Sequence, residues 1–205
     1  MARDTHSITK MSRREGYALH PKAHKYMVKR STMPGQHGRT GRRSVSSQYA
    51  LQLREKQKVK RLYGLLERQF SNLMKEANRK QGQSGEILLR FLEQRADNAV
   101  YRAGFAPSRR AARQLVTHGH FMLNGRRVDI PSIRLKPGDV LTIRPKSKNC
   151  EYFKNIDDIT GKPDVTALWL KADRKKFEIT ITGVPAREEA EPDINEQLIV
   201  EYYSR

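Results

Sequence analysis

Residues 108–128 (SRRAARQLVTHGHFMLNGRRV) constrain the fold of this chain more than any other segment. Ser108 can cap a helix, Gly119 can end it, and Asn124-Gly125 is typical of a tight turn between two antiparallel strands. At about 100° per residue, the helix separates an apolar side from a polar side. The apolar side holds Ala111, Ala112, Leu115 and Val116, and the polar side holds Arg109, Arg110, Arg113, Gln114, Thr117 and His118. The segment therefore predicts a helix that buries one side and extends a fork of arginines outward, followed by a β-hairpin.

The strong positive charge limits the class of partner. The 205 residues carry 41 Lys and Arg against 22 Asp and Glu, a net charge of +19, while 37% are hydrophobic. A surplus this large repels itself unless a polyanion neutralises it, so nucleic acid and anionic membranes are the classes to compare. No apolar run approaches the roughly 18 residues of a membrane-spanning helix. Because there is no hydrophobic signal segment and Cys150 is the single cysteine, we expect a reducing compartment, the cytoplasm or an organelle of bacterial type.

The charge is distributed unevenly along the chain. Residues 1–80 hold 20 Lys and Arg against 5 Asp and Glu, whereas residues 183–205 hold 2 against 6. Residues 1–44 contain few large apolar side chains and no sustained period, so alone they could not bury enough surface to fold stably. We expect them to form a basic extension, either flexible when free or ordered on the partner. The acidic C-terminal segment should face something other than a polyanion.

Periodicity and capping residues predict helices followed by short strands. Ser46 or Ser47 can cap a helical segment with a break at Gly64, and Ser84 can cap a second amphipathic helix that runs through Val100. The segments VLTIR, ALWL and FEITIT read as strands, and the Trp169 ring within ALWL is expected in the core. The predicted fold class is therefore α+β, with helices and a small antiparallel sheet.

The last residues are predicted to form a helix that packs on the protein. Asp193 and Glu196 have the spacing of a capping box. The apolar line of this helix consists of Ile194, Leu198 and Tyr202. Residues off that line are expected to meet a neighbouring protein, because Tyr203 should point away from it and Glu201 should lie at its edge. Arg205, at the terminus, is expected to join them.

The sequence contains no catalytic constellation. It lacks the glycine-rich loops that cradle nucleotide phosphates and the Gly-x-Ser-x-Gly motif, and no histidine is close in sequence to Cys150. His118 and His120 are two residues apart, closer than in finger-type zinc sites, and no cysteine pair accompanies them. We therefore predict no enzyme activity, no cofactor, no metal and no small-molecule substrate.

RNA is favoured over a membrane surface as the partner. A membrane-bound helix would carry exposed Trp, Phe or Leu opposite its basic side, but the helix after Ser108 has alanines, Leu and Val there. Guanidinium groups match phosphate oxygens with paired hydrogen bonds and also stack on bases. A basic helix beside a hairpin suits structured RNA, which is read mostly through its shape and backbone. The sequence thus indicates an RNA-binding protein.

Residues 108–141 resemble the S4 domain, a small RNA-binding module of helices and a hairpin-based sheet that several RNA-handling families share. The motifs PGQHG, YALQLREKQKVKRLYGLLERQF, LLRFLEQRADNAVYRAGFA and INEQLIVEYYSR extend the likeness. With them the chain resembles bacterial-type small-subunit ribosomal protein S4 over nearly its whole length, least at about residues 149–191. The resemblance implies a basic extension (1–44), a helical domain (45–94) joined by the C-terminal helix (193–205), and an S4 RNA-binding domain (95–192).

The resemblance also implies a role as a structural constituent of the small ribosomal subunit. Family members are primary binders of small-subunit ribosomal RNA and nucleate assembly of the subunit body. They touch protein S5 at an interface tied to decoding accuracy, and they line the path by which messenger RNA enters. Many carry four N-terminal cysteines that bind zinc, whereas the matching positions here hold Thr9, Ser12, Tyr26 and Ser31. This chain therefore looks like the zinc-free form, in ribosomes of bacterial or plastid type.

The residues expected to bind RNA form three groups. The N-terminal group comprises Arg13, Arg14, Gln36, His37, Arg39, Arg42 and Arg43. The next helix contributes Arg54, Lys56, Lys58 and Arg61. The S4 domain contributes Ser108, Arg109, Arg110, Arg113, Gln114, His118, His120, Asn124, Arg126 and Arg127. Contacts with S5 are expected from Glu201, Tyr203, Arg205 and the start of the YALQLREK helix.

Two other functions are compatible with an S4 domain. An RNA-modifying enzyme such as a pseudouridine synthase needs a separate catalytic domain with a buried aspartate, and the roughly 45 residues after Thr160 fall short of one. A free-standing ribosome-rescue or stress RNA binder would not need the PGQHG and LREKQK flanks or the C-terminal helix. Both are less consistent with the sequence than a ribosomal protein.

Overall fold

The computed structural model describes residues 4–38, 47–161 and 167–204, with the backbone alone at His37. These residues form eleven α-helices, two 3-10 helices (Gln36–Gly38 and Arg187–Glu189) and one sheet. The helices are α1 (Ile8–Glu15), α2 (Pro21–Lys29), α3 (Gln48–Leu62), α4 (Glu67–Asn78), α5 (Ser84–Glu93), α6 (Ala96–Arg102), α7 (Arg109–Thr117), α8 (Pro145–Lys148), α9 (Glu151–Lys154), α10 (Ile156–Thr160) and α11 (Glu196–Tyr203). The strands are β1 (Phe121–Leu123), β2 (Arg126–Val128), β3 (Val140–Ile143), β4 (Leu170–Asp173) and β5 (Glu178–Ile181). The predicted α+β class is confirmed.

The chain divides into two compact units. Unit 1 consists of Met1–Leu88 together with Asp193–Arg205, and unit 2 is Leu89–Pro192. Within the described residues, none of the helices is both long enough and apolar enough to span a membrane.

Unit 1 is built around α3 and α4. Ser47 Oγ caps α3 by accepting a hydrogen bond from the Ala50 amide at 3.2 Å. The predicted break between the two helices is confirmed at Gly64. Its φ is +66°, a backbone conformation that glycine adopts readily and that is strained for residues with a Cβ. Val59 and Phe70 are fully buried between the helices of this unit.

The N-terminal extension contains more regular structure than its composition suggests. α1 and α2 form within it, and they bury Met11, Leu19 and Ala23. α1 packs against α3 of the same unit, where the Glu15 carboxylate meets Arg54 and Arg61. The segment is thus ordered partly by its contact with a neighbouring helix of the same unit.

The C-terminal helix α11 packs on α3, as predicted, but its cap and its buried face differ from the prediction. Asn195, not Asp193, caps the helix, because its side-chain oxygen accepts from the amides of Gln197 (3.1 Å) and Leu198 (3.4 Å). The fully buried residue of α11 is Ile199, which follows Leu198 of the predicted apolar line.

The helix predicted from Ser84 through residue 100 is broken in two. α5 begins at Ser84 itself and ends at Glu93, and α6 begins at Ala96. Between them the Leu135 amide donates to the Gln94 carbonyl at 2.8 Å. This pairing with a distant segment replaces the local helical bonds, so the prediction of one continuous helix is wrong.

The sheet of unit 2 is antiparallel, with strand order β2-β1-β3-β5-β4. The predicted β1–β2 hairpin is confirmed, and Asn124 (φ +48°) and Gly125 (φ +79°) form its turn. Phe121, Ile143 and Trp169 belong to the core under the sheet, which also includes residues of α6 and α7. This core holds α7 and the hairpin in fixed positions.

Candidate nucleic-acid interface

Helix α7 presents a row of polar side chains at its surface. Ser108 Oγ accepts from the Ala111 amide at 3.2 Å and starts the helix, as predicted. Ala112 and Val116 are buried. On the other side, three exposed residues recur at a spacing of four and lie one above another along the helix: Arg110, Gln114 and His118.

The hairpin brings two more arginines beside this row. Arg126 and Arg127 on β2 are exposed. The Arg127 guanidinium lies against Gly119, where an added Cβ would come within 2.5 Å of Arg127 Nε. Because Gly119 ends α7, this contact joins the hairpin to the exposed row. We call Arg110, Gln114, His118, Arg126 and Arg127 the basic surface.

The other two arginines of the predicted fork do not point outward. Arg109 Nε donates to Asn98 Oδ1 at 2.8 Å, and Arg109 Nη2 donates to Glu191 Oε1 at 2.9 Å. Arg113 Nη1 lies 3.8 Å from Asp97 Oδ2, and both arginine side chains are 12% exposed. The expectation that all three arginines point outward is therefore wrong. Arg110 is exposed, whereas carboxylates of unit 2 attract Arg109 and Arg113.

These pairs belong to a larger buried ionic network. Arg95 binds Asp97 with two hydrogen bonds, Nε to Oδ1 at 3.0 Å and Nη2 to Oδ2 at 2.7 Å. Arg102 binds Glu93 in the same manner, at 3.1 and 3.0 Å. We call the set the buried network: Glu93, Arg95, Asp97, Asn98, Arg102, Arg109, Arg113 and Glu191.

None of the ion pairs of this network was predicted from the sequence. Glu93 and Asp97 stand within the otherwise apolar segment LLRFLEQRADNAV. Carboxylates among core residues are seldom buried without a partner, so their position was a usable signal of buried ion pairs. The third carboxylate, Glu191, lies far away in the sequence, and no local pattern indicates it.

Three further residues proposed for the S4 domain have internal contacts. The Asn124 side chain holds the turn, donating to Asp139 Oδ1 and accepting from the Val140 amide, both at 2.9 Å. Ser108 is buried. His120 Nδ1 lies 3.0 Å from Ser147 Oγ.

The two histidines do not form a metal cluster. Their ring centroids are 6.0 Å apart, and His118 is exposed. The pKa of His120 is lowered from its usual value, first by burial and then by the nearby charges of His118 and Arg144. In the described part of the chain, no three His, Cys, Asp or Glu side chains come together as a metal site would require.

The candidate residues on α3 of unit 1 mostly face the protein. The Lys56 side chain is 4% exposed and its Nζ lies 2.8 Å from Glu67 Oε1. Lys58 Nζ donates to the Asp193 carbonyl at 2.7 Å and pairs with Glu55 at 2.8 Å. For Lys56 this burial contradicts the expected outward position, since its charge is already balanced inside unit 1.

Two other arginines of α3 share a buried partner. Arg54 and Arg61 both contact Glu15 Oε1, and the Glu15 side chain is fully buried. Burial raises the pKa of Glu15, and the charges of Arg54 and Arg61 oppose that rise. Arg54 nevertheless keeps 38% of its side chain exposed, so it can also reach a ligand.

In the N-terminal segment, Arg14 and Gln36 are exposed. Arg13 donates to the Thr32 carbonyl through Nε at 3.0 Å and Nη2 at 2.8 Å. Arg39, Arg42 and Arg43 lie outside the described residues, as does the side chain of His37.

The residues expected to meet a neighbouring protein also have internal contacts. Glu201 Oε2 accepts from Gln52 Nε2 at 2.8 Å. The Tyr203 hydroxyl donates to Glu67 Oε1 at 2.9 Å, and its ring lies 6.2 Å from that of Phe70. The expectation that Tyr203 points away from the packed side is therefore wrong. Arg205 lies outside the described residues.

Comparison with known proteins agrees with this geometry. Residues 3–93 match the family described as the ribosomal protein S4/S9 N-terminal domain, and residues 94–141 match the S4 domain, which includes the whole basic surface. The chain is 52% identical to the small ribosomal subunit protein uS4 of Chlorobium phaeovibrioides, 50% to that of Chlorobaculum tepidum and 49% to that of Chloroflexus aurantiacus. Each alignment covers 100% of both proteins. The chain therefore belongs to the uS4 family of small ribosomal subunit proteins.

Proposed function

We propose that this protein is a structural constituent of the small ribosomal subunit and binds the small-subunit ribosomal RNA directly. The observation that carries the proposal is the basic surface of the S4 domain, which places three arginines, a glutamine and a histidine on one helix and its neighbouring hairpin. The family consists of structural ribosomal proteins rather than enzymes, in agreement with the predicted lack of enzyme activity.

The chemistry of the basic surface fits an RNA backbone. Arginine forks bind phosphate oxygens with paired hydrogen bonds, and glutamine and histidine add donors to phosphate or ribose. The major groove of an RNA helix is too narrow for side chains, so contacts to phosphates and 2′-hydroxyls dominate recognition. A rigid basic surface held by a protein core suits this kind of shape recognition.

Salt-dependent titration of RNA tests this assignment. The full-length protein is titrated with small-subunit ribosomal RNA and with an unrelated RNA of equal length, over a range of salt concentrations. Arg110→Ala and Arg127→Ala should each weaken binding and shallow the log–log salt dependence by about 0.7 to 0.9, the value for one lost phosphate contact. Lys176→Ala is the matched control, because Lys176 is 76% exposed at the β4–β5 turn, by the sheet edge opposite β2.

The control should leave the slope unchanged. Equal affinity for both RNAs would refute the ribosomal assignment. Unchanged slopes in both arginine variants would refute the placement of the RNA on the basic surface.

We further propose that the protein binds the RNA without help from other proteins and nucleates assembly of the subunit body. The resemblance to a primary binder supports this, as does the charge of residues 1–80, where 20 Lys and Arg stand against 5 Asp and Glu. In a reconstitution by ordered addition, the protein should bind naked ribosomal RNA, and its omission should block later proteins. Binding that requires earlier proteins would contradict the proposal. Contact with messenger RNA where it enters the subunit is proposed on the resemblance alone, and photocrosslinking in translating subunits tests it.

We also propose that unit 1 contacts protein S5 and thereby affects translational accuracy. The start of α3 exposes two apolar side chains, Tyr49 (48%) and Leu51 (45%), and the Tyr49 ring lies 5.8 Å from that of Tyr202 on α11. Exposed aromatic and aliphatic groups of this kind are typical of the central part of a protein interface. Loosening such an interface should shift the subunit between its conformations.

Surface variants test the S5 contact without disturbing α11. Tyr49→Ser with Leu51→Ser should raise misreading in a reporter assay while ribosomal RNA affinity stays within a few-fold of wild type. Val28→Ser on α2 is the control, since Val28 is an apolar side chain with 75% exposure. Unchanged misreading in the double variant, or an equal rise in the control, would argue against the interface.

A further inference from the structure

Helix α7 carries three arginines within five residues, and the structure separates them by their surroundings. Arg110 is exposed. Arg109 and Arg113 are drawn toward the buried network, with Glu191 Oε1 2.9 Å from Arg109 Nη2 and Asp97 Oδ2 3.8 Å from Arg113 Nη1. Which arginines can reach a phosphate therefore depends on carboxylates outside the helix.

Glu191 occupies a special position among these carboxylates. It lies in the connector after the 3-10 helix Arg187–Glu189, and its side chain is 22% exposed, whereas Glu93 and Asp97 are 1% and 6% exposed. Glu191 Oε1 also lies 3.5 Å from Arg102 Nη2, so one carboxylate oxygen holds two guanidinium groups. It is the outermost of the three carboxylates and competes most directly with RNA for Arg109.

Other contacts of Arg109, among them Glu93 Oε1 at 4.0 Å from its Nη2, also lie on the side of the buried network. Its Nε donates to Asn98 Oδ1, and its guanidinium carbon lies 4.7 Å from the centre of the Tyr101 ring. With Nε and Nη2 engaged in this way, one of the two edges through which a guanidinium binds a phosphate with paired hydrogen bonds is occupied within the protein.

We propose that Glu191 is a positioning residue, which holds Arg109 away from the RNA and so restricts the RNA-facing row of α7 to Arg110, Gln114 and His118. Glu93 and Asp97 complete the effect by fixing Arg102 and Arg113. The proposal rests on RNA binding by the basic surface. Its consequence is selectivity, because a single row of side chains on a rigid helix fits one path of the RNA backbone.

The slope of the salt dependence distinguishes this role from a merely structural one. The full-length protein is titrated with small-subunit ribosomal RNA, and the variants are Glu191→Ala, Arg109→Ala and the double variant. Glu191→Ala should release Arg109 and steepen the slope by about 0.7 to 0.9, corresponding to one added phosphate contact. Arg109→Ala should leave the wild-type slope unchanged, and the double variant should return to it.

Glu188→Ala is the matched control for the change of net charge. Glu188 is exposed, lies three residues from Glu191 and is not part of the buried network. If Glu188→Ala steepens the slope as much as Glu191→Ala, or if the double variant stays steep, the proposal is overturned. A shallower slope for Arg109→Ala in the wild-type background would overturn it as well.

One further variant and one comparison between RNAs distinguish a misfolded protein from a wrong proposal. If Glu191→Ala does not fold, Glu191→Gln keeps the shape and removes the charge, and it should steepen the slope in the same direction. An unchanged slope in folded Glu191→Gln overturns the proposal. If the wild-type protein does not prefer small-subunit RNA, the proposed function is refuted. The role of Glu191 is still tested in that case, because the slopes of the variants can be compared on any RNA that the protein binds.

Discussion

Glu67 is the residue of unit 1 whose replacement should most clearly loosen the C-terminal helix. Its carboxylate lies 2.8 Å from Lys56 Nζ and 2.9 Å from Lys60 Nζ, and it accepts a hydrogen bond from the Tyr203 hydroxyl at 2.9 Å. Lys56 is nearly buried, and its Nζ also lies 4.5 Å from the centre of the Tyr202 ring. Glu67→Gln would leave this buried ammonium group without its counter-ion.

The magnitude follows from the pKa of Glu67. Burial alone would raise this pKa, but hydrogen bonds from Lys56, Lys60 and Tyr203 outweigh that effect and lower it from 4.5 to about 2. At about 1.4 kcal/mol per pKa unit, the full shift corresponds to roughly 3 kcal/mol. The carboxylate is 49% exposed, so solvent screens the interaction, and we expect Glu67→Gln to lower the free energy of unfolding by about 1 to 2 kcal/mol.

The sign of the pH dependence is fixed by the direction of the shift. Because the pKa of Glu67 is lower in the folded state, its contribution is complete above 4.5 and is lost as the pH falls from 4.5 to about 2. The difference in stability between wild type and Glu67→Gln should therefore be constant near neutral pH and shrink below 4.5.

Urea unfolding of both proteins, followed from about pH 7 to about pH 3, measures this difference. Glu86→Gln on α5 is the control for the loss of one carboxylate in unit 1. Because Glu86 lies in the first turn of α5, this change should lower the free energy of unfolding by only a few tenths of a kcal/mol, through the helix dipole. Tyr203→Phe should cost about 0.5 to 1.5 kcal/mol, the usual value of one hydrogen bond. If Glu67→Gln and wild type are equally stable at neutral pH, or if their difference does not shrink in acid, the prediction is wrong.

Three further predictions concern unit 2. Gly119→Ala should lower the free energy of unfolding by about 1 to 2 kcal/mol, because φ of Gly119 is +71° and the new Cβ would lie 2.5 Å from Arg127 Nε. Since Arg127 is then displaced, RNA titration should also show weaker binding. Asp97→Asn should cost about 3 to 5 kcal/mol in urea unfolding, because the nearly buried Arg95 loses its charged partner; a loss below about 1 kcal/mol would contradict this. Burial and nearby positive charge lower the pKa of His120 below 6.5, so wild-type stability should fall as the pH drops below 6.5, and His120→Gln should abolish that decline in thermal unfolding.

Local chemistry explains which parts of the fold could be predicted from the sequence. The ends of α7, the turn at Asn124-Gly125 and the break at Gly64 depend on the backbone preferences of one or two residues, and the predictions for them are confirmed. The break between α5 and α6 depends instead on pairing between Gln94 and Leu135, some 40 residues apart. Periodicity within one segment carries no information about such a partner.

The candidate site was predictable to the same extent. Helical spacing placed Arg109, Arg110 and Arg113 together on the polar side of α7, where the structure has them. A polar side, however, can be exposed to solvent or can face buried carboxylates, and the amphipathic pattern is the same in both cases. Lys56 shows the same limit in unit 1, because its partner Glu67 belongs to another helix.

The buried network also changes what the large positive charge of this chain means for its partner. Four arginines of unit 2 are matched by three carboxylates, so most of their charge is neutralised within the protein: Arg95, Arg102, Arg109 and Arg113. Counterion release responds to the cations that touch phosphates, not to the arginines in a sequence. The contribution of unit 2 to the salt dependence should therefore reflect the exposed row of α7 and the hairpin arginines, Arg126 and Arg127. In this way the same residue type serves two purposes: the arginines of the buried network pair with carboxylates next to α7, and the exposed arginines are the ones we propose to meet the RNA.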